Sequence, residues 1–329
     1  MASQLKIDQS PYQLMPIETS QRKSRTGSLL RFTFPDGRVG FSDCHPWPEL
    51  GDAPLEEQLI LLKEGILTKL TEKSLYFARV DAQARGEERS LFKGLSIPKS
   101  HWHAAGVESL NNETLQSLLN AGFDTIKFKW GSDFQDVLPS FRKLWTDTPL
   151  STFNLRFDFN ERLTYRQFTE FLTMGNEWID RVEFFEDPVP FEKDVWSSIK
   201  SEFNIKLACD RSALIALDFH ETCDYLVVKP AVESIEPFVT SRRGGRKLVV
   251  TSYLDHPIGV LAAAYTAAKV KIRFPEALAQ CGLLTHHSYQ PTPFCNRMRD
   301  IVPTLNLQND DAGWGYYQNL AELKWNRLV

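Results

Sequence analysis

Between about residues 124 and 269 the chain repeats one pattern: a short apolar segment rich in β-branched and aromatic residues, then a longer amphipathic one. DTIKFKW, FNLRFDF, RVEFFED, IKLACD, YLVVKP and KLVVTSY read as strands. DFQDVLPSFRKLW, TYRQFTEFLTMG, EKDVWSSIKSEF, SALIALDFH, SIEPFVTSRRG and PIGVLAAAYTAAK read as the helices that follow them. Such alternation requires parallel strands with helical crossovers, because parallel neighbours cannot be joined by a tight hairpin. Asp133, Thr164 and Ser212 stand where helix N-caps are expected. Residues 99–104 supply an earlier strand, and a weaker eighth is expected near 272–279. The fold class predicted is α/β: a (β/α) barrel with seven βα units and an irregular eighth.

The first 95 or so residues follow an α+β pattern instead. Residues 29–34, a turn at Pro35-Asp36-Gly37 and residues 38–42 read as a β-hairpin. Residues 55–70 carry helical apolar spacing, and a second helix is expected over 75–85. After about Asn296 the chain, including Asp311-Ala312-Gly313-Trp314-Gly315, fits no further βα unit. The expected division is therefore a capping domain over 1–98, completed by about 297–329, and a barrel over 99–296.

Bulk properties narrow the function. The chain has 329 residues, 42% of them hydrophobic, enough for one large and one smaller unit. Its net charge is -4 and its pI about 6.0, with no long basic block, so nucleic acid is not an expected partner. The opening MASQLKIDQSPYQLMP has no apolar core of a signal peptide, and the apolar stretch 257–268 is too short to span a bilayer. The five cysteines include no C-x-x-C pair, which argues against structural zinc or a disulfide framework. A cytoplasmic protein with reduced core thiols is the corresponding expectation.

Polar residues close the strand-like segments in order: Lys127-Phe128-Lys129, Asp158-Phe159-Asn160, Glu186-Asp187-Pro188, Asp210 and Lys229-Pro230. The gaps from Lys129 are 29, 28, 24 and 19 residues, each about one strand-plus-helix unit. A parallel barrel would gather them at one rim. Residues two apart on a strand share a face, so Lys127 and Lys129 point together, as do Arg156, Asp158 and Asn160. Asp158, Glu186 and Asp210 offer hard oxygen ligands suited to magnesium. A dication beside a substrate carboxylate offsets the charge of an enediolate formed by α-proton removal. Lys129 is the expected base, tuned by Lys127 and the metal, with Lys229 stabilising the enediolate from the opposite side.

These motifs resemble the enolase superfamily and, more narrowly, the o-succinylbenzoate synthase family, over nearly the whole chain. The resemblance implies an enolase-type barrel with an α+β capping domain. It implies Mg2+ on Asp158, Glu186 and Asp210, with Asn160 and Arg156 supporting the metal and a substrate carboxylate. Arg22-Lys23-Ser24-Arg25-Thr26-Gly27 resembles the family's mobile N-terminal loop, and Pro46-Trp47-Pro48-Glu49 with Gly51 its second capping loop. Ser252-Tyr253-Leu254-Asp255 with Gly259 resembles the segment that binds the substrate's succinyl end. The implied reaction is dehydration of 2-succinyl-6-hydroxy-2,4-cyclohexadiene-1-carboxylate to 2-succinylbenzoate, a step of menaquinone biosynthesis. One departure stands out: the family usually has glutamate after the third metal aspartate, and here Arg211 follows Asp210.

Other readings stay open. The same two lysines could run an N-acylamino acid racemase, a dipeptide epimerase or a muconate cycloisomerase, although the aspartate-rich motif of the dipeptide epimerases is absent from 272–280. An enolase-like binding protein without activity is a further alternative. His101-Trp102-His103 has the H-x-H form of zinc hydrolases but lacks suitably placed later histidines; packing or hydrogen bonding near the barrel mouth is expected of it. Arg242-Arg243-Gly244-Gly245-Arg246 reads as a solvated helix end.

Overall fold

The computed structural model describes residues 5–17, 23–240, 244–307 and 311–329. Strands β1 (Lys6–Leu14), β2 (Arg25–Thr33) and β3 (Val39–Cys44) form an antiparallel meander. The expected turn links β2 to β3, with Asp36 Oδ1 accepting the Arg38 amide at 3.0 Å. The helices expected over 55–70 and 75–85 are α1 (Leu55–Lys63) and α2 (Lys69–Gly86), so the break between them falls earlier in the chain. Gly65, at φ +79°, turns the chain left-handed after α1, where a side chain would be strained. Thr68 then opens α2 with a capping box: its hydroxyl accepts from Thr71 N–H at 3.2 Å, and Thr71 Oγ1 accepts from Thr68 N–H at 2.9 Å.

The barrel follows as β4 (Trp102–His103), α3 (Asn112–Asn120), β5 (Thr125–Lys129), α4 (Phe134–Asp147), β6 (Asn154–Asp158), α5 (Tyr165–Met174) and β7 (Val182–Glu186). It continues as α6 (Lys193–Phe203), β8 (Leu207–Cys209), α7 (Ala213–Ala216), β9 (Tyr225–Val228), α8 (Glu236–Thr240), β10 (Lys247–Val250) and α9 (Pro257–Arg273). The seven strands form one parallel sheet in the order β10-β9-β8-β7-β6-β5-β4. Residues 278–282, rather than 272–279, fill the eighth place: Leu278 and Gly282 bridge Leu248 and Thr251, while Cys281 bridges Ser100. The apolar face of α9 runs on to Arg273, so the last strand-like segment starts later than its composition suggests.

Of the expected N-caps, Thr164 accepts from Gln167 N–H at 3.2 Å and forms a capping box. Asp133 and Ser212 make no side-chain cap bond; their ψ angles of 12° and 23° depart from the extended backbone a cap uses. Arg246 is not solvated but buried, and donates to Ala216 O at 2.7 Å and Leu217 O at 2.9 Å, satisfying carbonyls at the end of α7. Arg242 and Arg243 lie outside the described residues.

Strand alternation sorts the barrel's side chains. Phe128, Phe157 and Phe185 face the helices, with Phe128 5.3 Å from Phe141 and Phe157 5.5 Å from Phe171, ring to ring. Phe184, Ala208, Tyr225, Val227 and Val249 form a separate apolar core inside the ring. The charged residues stand above that core.

The C-terminal segment returns to the first sheet. After α10 (Tyr317–Glu322), β11 (Asn326–Arg327) pairs antiparallel with β1, and Arg327 Nε donates to Asp8 Oδ1 at 2.7 Å. Buried Asp81 on α2 accepts the amides of Phe41 and Trp314 at 2.9 and 2.7 Å, joining α2, β3 and the returning chain.

A polar seam joins cap and barrel. Tyr12 OH donates to Asp43 Oδ1 at 2.6 Å, and the His256 amide to Asp43 Oδ2 at 3.0 Å. His45 Nδ1 lies 2.9 Å from the same tyrosine oxygen. Since that hydroxyl proton is given to Asp43, His45 must donate there through Nδ1. Asp255 lies alongside: a Cβ at Gly259 would come within 2.4 Å of Asp255 Oδ2 and 2.8 Å of Asp43 Oδ2, so glycine is required for the two carboxyl groups to flank this helix start.

Candidate active site

The register assembles the strand ends. Lys129 pairs with Asp158 across β5 and β6, and Asp158 with Glu186 across β6 and β7. Asp210 follows β8 and Lys229 follows β9. With seven strands plus the segment at 278–282, β5 and β9 are four places apart in a ring of eight, on opposite sides of the mouth. The three strands between them carry the three carboxylates.

All six side chains line one cavity of about 800 Å3, together with Asn160, Arg211 and Ser252. Lys127 Nζ lies 2.7 Å from Glu186 Oε1 and 3.0 Å from Asp158 Oδ2. Lys129 Nζ lies 3.7 Å from Asp158 Oδ2, and Lys229 Nζ grips both oxygens of Asp210. Burial alone would lower both Lys127 and Lys229; the carboxylates beside them outweigh it and hold both above the usual lysine range. Glu186 is pushed up to about 7, first by burial and then by the charge of Asp158. Asp158 is held below the carboxylate range because Lys127 and Lys129 outweigh its burial.

Two groups steady the carboxylates. Asn160, in the left-handed region at φ 52°, donates its side-chain amide to Asp158 Oδ1. Asp187, also left-handed at φ 43°, accepts the amides of Asp210 and Arg211, each at 3.0 Å. Its motif was visible in the sequence, but this positioning role depends on a turn two strands wide. Among the described residues no three His, Cys, Asp or Glu side chains are gathered closely enough to hold a metal ion; the Lys127 ammonium stands between Asp158 and Glu186, and Lys229 pairs with Asp210. The donor set itself, three carboxylates and no soft ligand facing one cavity, suits a hard dication.

Arg156 is placed differently from the expectation that it supports metal and substrate. It is fully buried one layer below Asp158, absent from the cavity lining, with Nε 2.8 Å from Glu183 Oε2 and Nη1 3.0 Å from the Gln280 carbonyl. Its Nη1 also lies 2.7 Å from His101 Nδ1, and His101 and His103 both line the cavity. The alternation that put Arg156 on the same face as Asp158 was right; the depth of the ring separates them. Ser252 lines the cavity but is held by Thr285 Oγ1 at 2.7 Å. Tyr253 and Leu254 line it too, whereas Asp255 and Gly259 face the seam.

The cap supplies a lid edge. Trp47 and Leu50 line the cavity; Trp47 Nε1 donates to Tyr253 O at 2.7 Å, and Tyr253 OH to Asp52 Oδ2 at 3.0 Å. Of the loop expected over 22–27, Arg25, Thr26 and Gly27 instead open β2, and Arg22 lies outside the described residues; Arg25 stacks on the Trp47 ring at 3.3 Å and pairs with Glu49 at 2.9 Å.

Comparison with known proteins agrees with this architecture. Residues 7–84 match the family model described as O-succinylbenzoate synthase, N-terminal domain. An o-succinylbenzoate synthase of Bdellovibrio bacteriovorus is 33% identical over 98% of this chain and 99% of its own length. An L-Ala-D/L-Glu epimerase of Francisella tularensis subsp. novicida is 28% identical over 46% of each chain. Among solved structures, a mandelate racemase/muconate lactonizing enzyme from Roseiflexus sp. superposes with TM-score 0.77 at 17% identity, covering 96% of this chain and 99% of that one. A dipeptide epimerase from Enterococcus faecalis, complexed with Mg and a dipeptide, gives TM-score 0.72 at 17% identity, covering 94% and 98%. On the near-full-length relative, with this fold and this arrangement of strand ends, the chain belongs to the o-succinylbenzoate synthase family, enolase-superfamily lyases of the α/β barrel class.

Proposed function

We propose that this enzyme dehydrates 2-succinyl-6-hydroxy-2,4-cyclohexadiene-1-carboxylate to 2-succinylbenzoate, a step of menaquinone biosynthesis, in the barrel formed by residues 99–296. Residues 1–98 and 297–329 form the cover. The observation that carries the reading is the placement of Lys129 and Lys229 on opposite strands, with Asp158, Glu186 and Asp210 on the three strands between. Asp158, Glu186 and Asp210 would hold Mg2+. When bound, the ion offsets the negative charge that develops on the substrate carboxylate.

The side chains divide the remaining work. Lys129, at the cavity wall beside Asp158, takes the α-proton in its neutral form. Lys229 donates from the opposite side to the oxygen on which charge accumulates. The departing hydroxide leaves with the proton held on Lys129, so the sum is loss of one water and formation of the aromatic ring. Lys127 fixes Asp158 and Glu186, and Asn160 fixes Asp158. Trp47 and Leu50 cover the mouth from the cap.

The test is direct: purified protein with magnesium and the cyclohexadiene substrate, followed by the appearance of the aromatic product. Turnover that disappears in Lys129→Ala supports the proposal; an inactive wild type overturns it. A second reading, racemisation of an N-acylamino acid, draws on the opposed lysines and on the similarity to epimerases. Incorporation of deuterium at the α-carbon of an N-succinylamino acid in heavy water would reveal it. No described helix is long and apolar enough to cross a membrane.

A further inference from the structure

The mechanism above leaves Arg211 without a role. It lines the reaction cavity and also a wider groove that leads outward past Leu50 and Tyr253. Its backbone is fixed, because the amide donates to buried Asp187 at 3.0 Å. Its side chain, 35% exposed, is held far less firmly: the guanidinium Nε lies 4.0 Å from Glu161 Oε2, beyond hydrogen-bond length. Lys127 and Lys229 instead make close pairs with the carboxylates. Thus the mouth holds one tightly paired cationic group on each side of the centre and a loosely paired guanidinium at the exit.

We propose that Arg211 binds the second, distal carboxylate of a dianionic substrate and disfavours ligands that carry an ammonium group there. This rests on the reading of a carboxylate substrate at the reaction centre. The groove supplies what such a ligand needs: Leu50 and Tyr253 beside its methylene chain, and a planar guanidinium that can meet a carboxylate through two parallel N–H donors. Asp52, Glu161 and Glu233 also line the groove. Asp210, Lys69 and Lys229 line it as well, so the field is mixed, and Arg211, the cation beside Glu161, offsets part of the repulsion that the acids exert on an anionic tail. The incoming carboxylate takes the place of Glu161 at the guanidinium.

The experiment compares 2-succinylbenzoate with the analogue whose succinyl carboxylate is a primary amide, both titrated calorimetrically into the magnesium-loaded protein. Wild type is expected to bind the diacid at least tenfold more tightly than the amide. The preference falls to within twofold in Arg211→Gln and returns in part in Arg211→Lys. Glu161→Gln is expected to tighten diacid binding a few-fold. In turnover, Arg211→Gln raises KM for the diacid substrate far more than it lowers kcat, a split that general damage to the site would not give. A wild-type preference near one, or a preference undiminished in Arg211→Gln, overturns the assignment. Retained discrimination in a wild type that does not turn over the cyclohexadiene overturns the proposed reaction while supporting Arg211.

Discussion

The barrel mouth and the cap–barrel seam both bury carboxyl groups, yet they meet the cost in opposite ways. At the mouth, Asp158, Glu186 and Asp210 each have a lysine ammonium within 4.0 Å. In the seam, Asp43 and Asp255 make no ion pair among the described residues; Asp43 has a phenol and a backbone amide. Burial pushes Asp43 up to about 7 and Asp255 well above its usual range, and drives His45 and His256 down to about 3. The seam therefore favours uncharged groups, whereas at the mouth the lysines favour charged Asp158, although burial lifts Glu186 to about 7, as it does Asp43. Fixed charges serve chemistry; a neutral hydrogen-bonded joint serves cohesion.

The widest separation of the two regions should come from Lys129→Ala. On its proposed role as base, the substitution is expected to lower kcat by about 10^3-fold or more with little change in the melting temperature. Steady-state rates and a melting curve on the same preparation check it, and a loss of less than tenfold would remove Lys129 from the mechanism. Magnesium provides the next contrast. At about 100 times its dissociation constant it should add about 2.7 kcal/mol to wild-type stability and almost nothing to Glu186→Gln, read by thermal shift with and without chelator.

A cut in the seam should do the reverse. Tyr12→Phe strips Asp43 and His45 of their shared partner and should cost about 1–3 kcal/mol, while retaining more than half of the magnesium-dependent turnover. A variant as stable as wild type would show that the phenol contributes nothing to cohesion. The last contrast is a pH slope. Between pH 3 and 6.5 the unfolded chain binds protons that His45 and His256 refuse, so their contribution rises with pH. Between pH 3.8 and 7 folded Asp43 keeps a proton that the unfolded chain releases, so its contribution falls. Asp43→Asn removes the second term. Its stability relative to wild type should increase by up to about 1.4 kcal/mol per pH unit between pH 4.5 and 6.5, measured by denaturant titration.

The sequence exposed the mouth far better than the seam, and the reason is physical. Lys127, Lys129, Asp158, Glu186, Asp210 and Lys229 each end a strand of a regular repeat, so local pattern plus barrel geometry brings them together. Tyr12, Asp43 and His256 come from β1, β3 and the start of α9, and nothing local marks them as neighbours. Arg156 shows the limit of alternation, which gives the face but not the depth. Gly65 shows another: helical spacing continues through residues 55–70, while one left-handed glycine breaks the helix. Asp187 was legible as part of a motif, but its grip on two amides across the mouth required the folded turn.

The pairing of β1 with β11 has a consequence for the order of assembly. Ile7 exchanges hydrogen bonds with Leu328 and Val329, and Asp8 meets Arg327 across 319 positions of sequence. During synthesis, the outer edge of the first sheet must therefore wait for residues made more than three hundred positions later. An early-formed cap would spend that interval with an unpaired strand exposed, and the final few residues act as its closure.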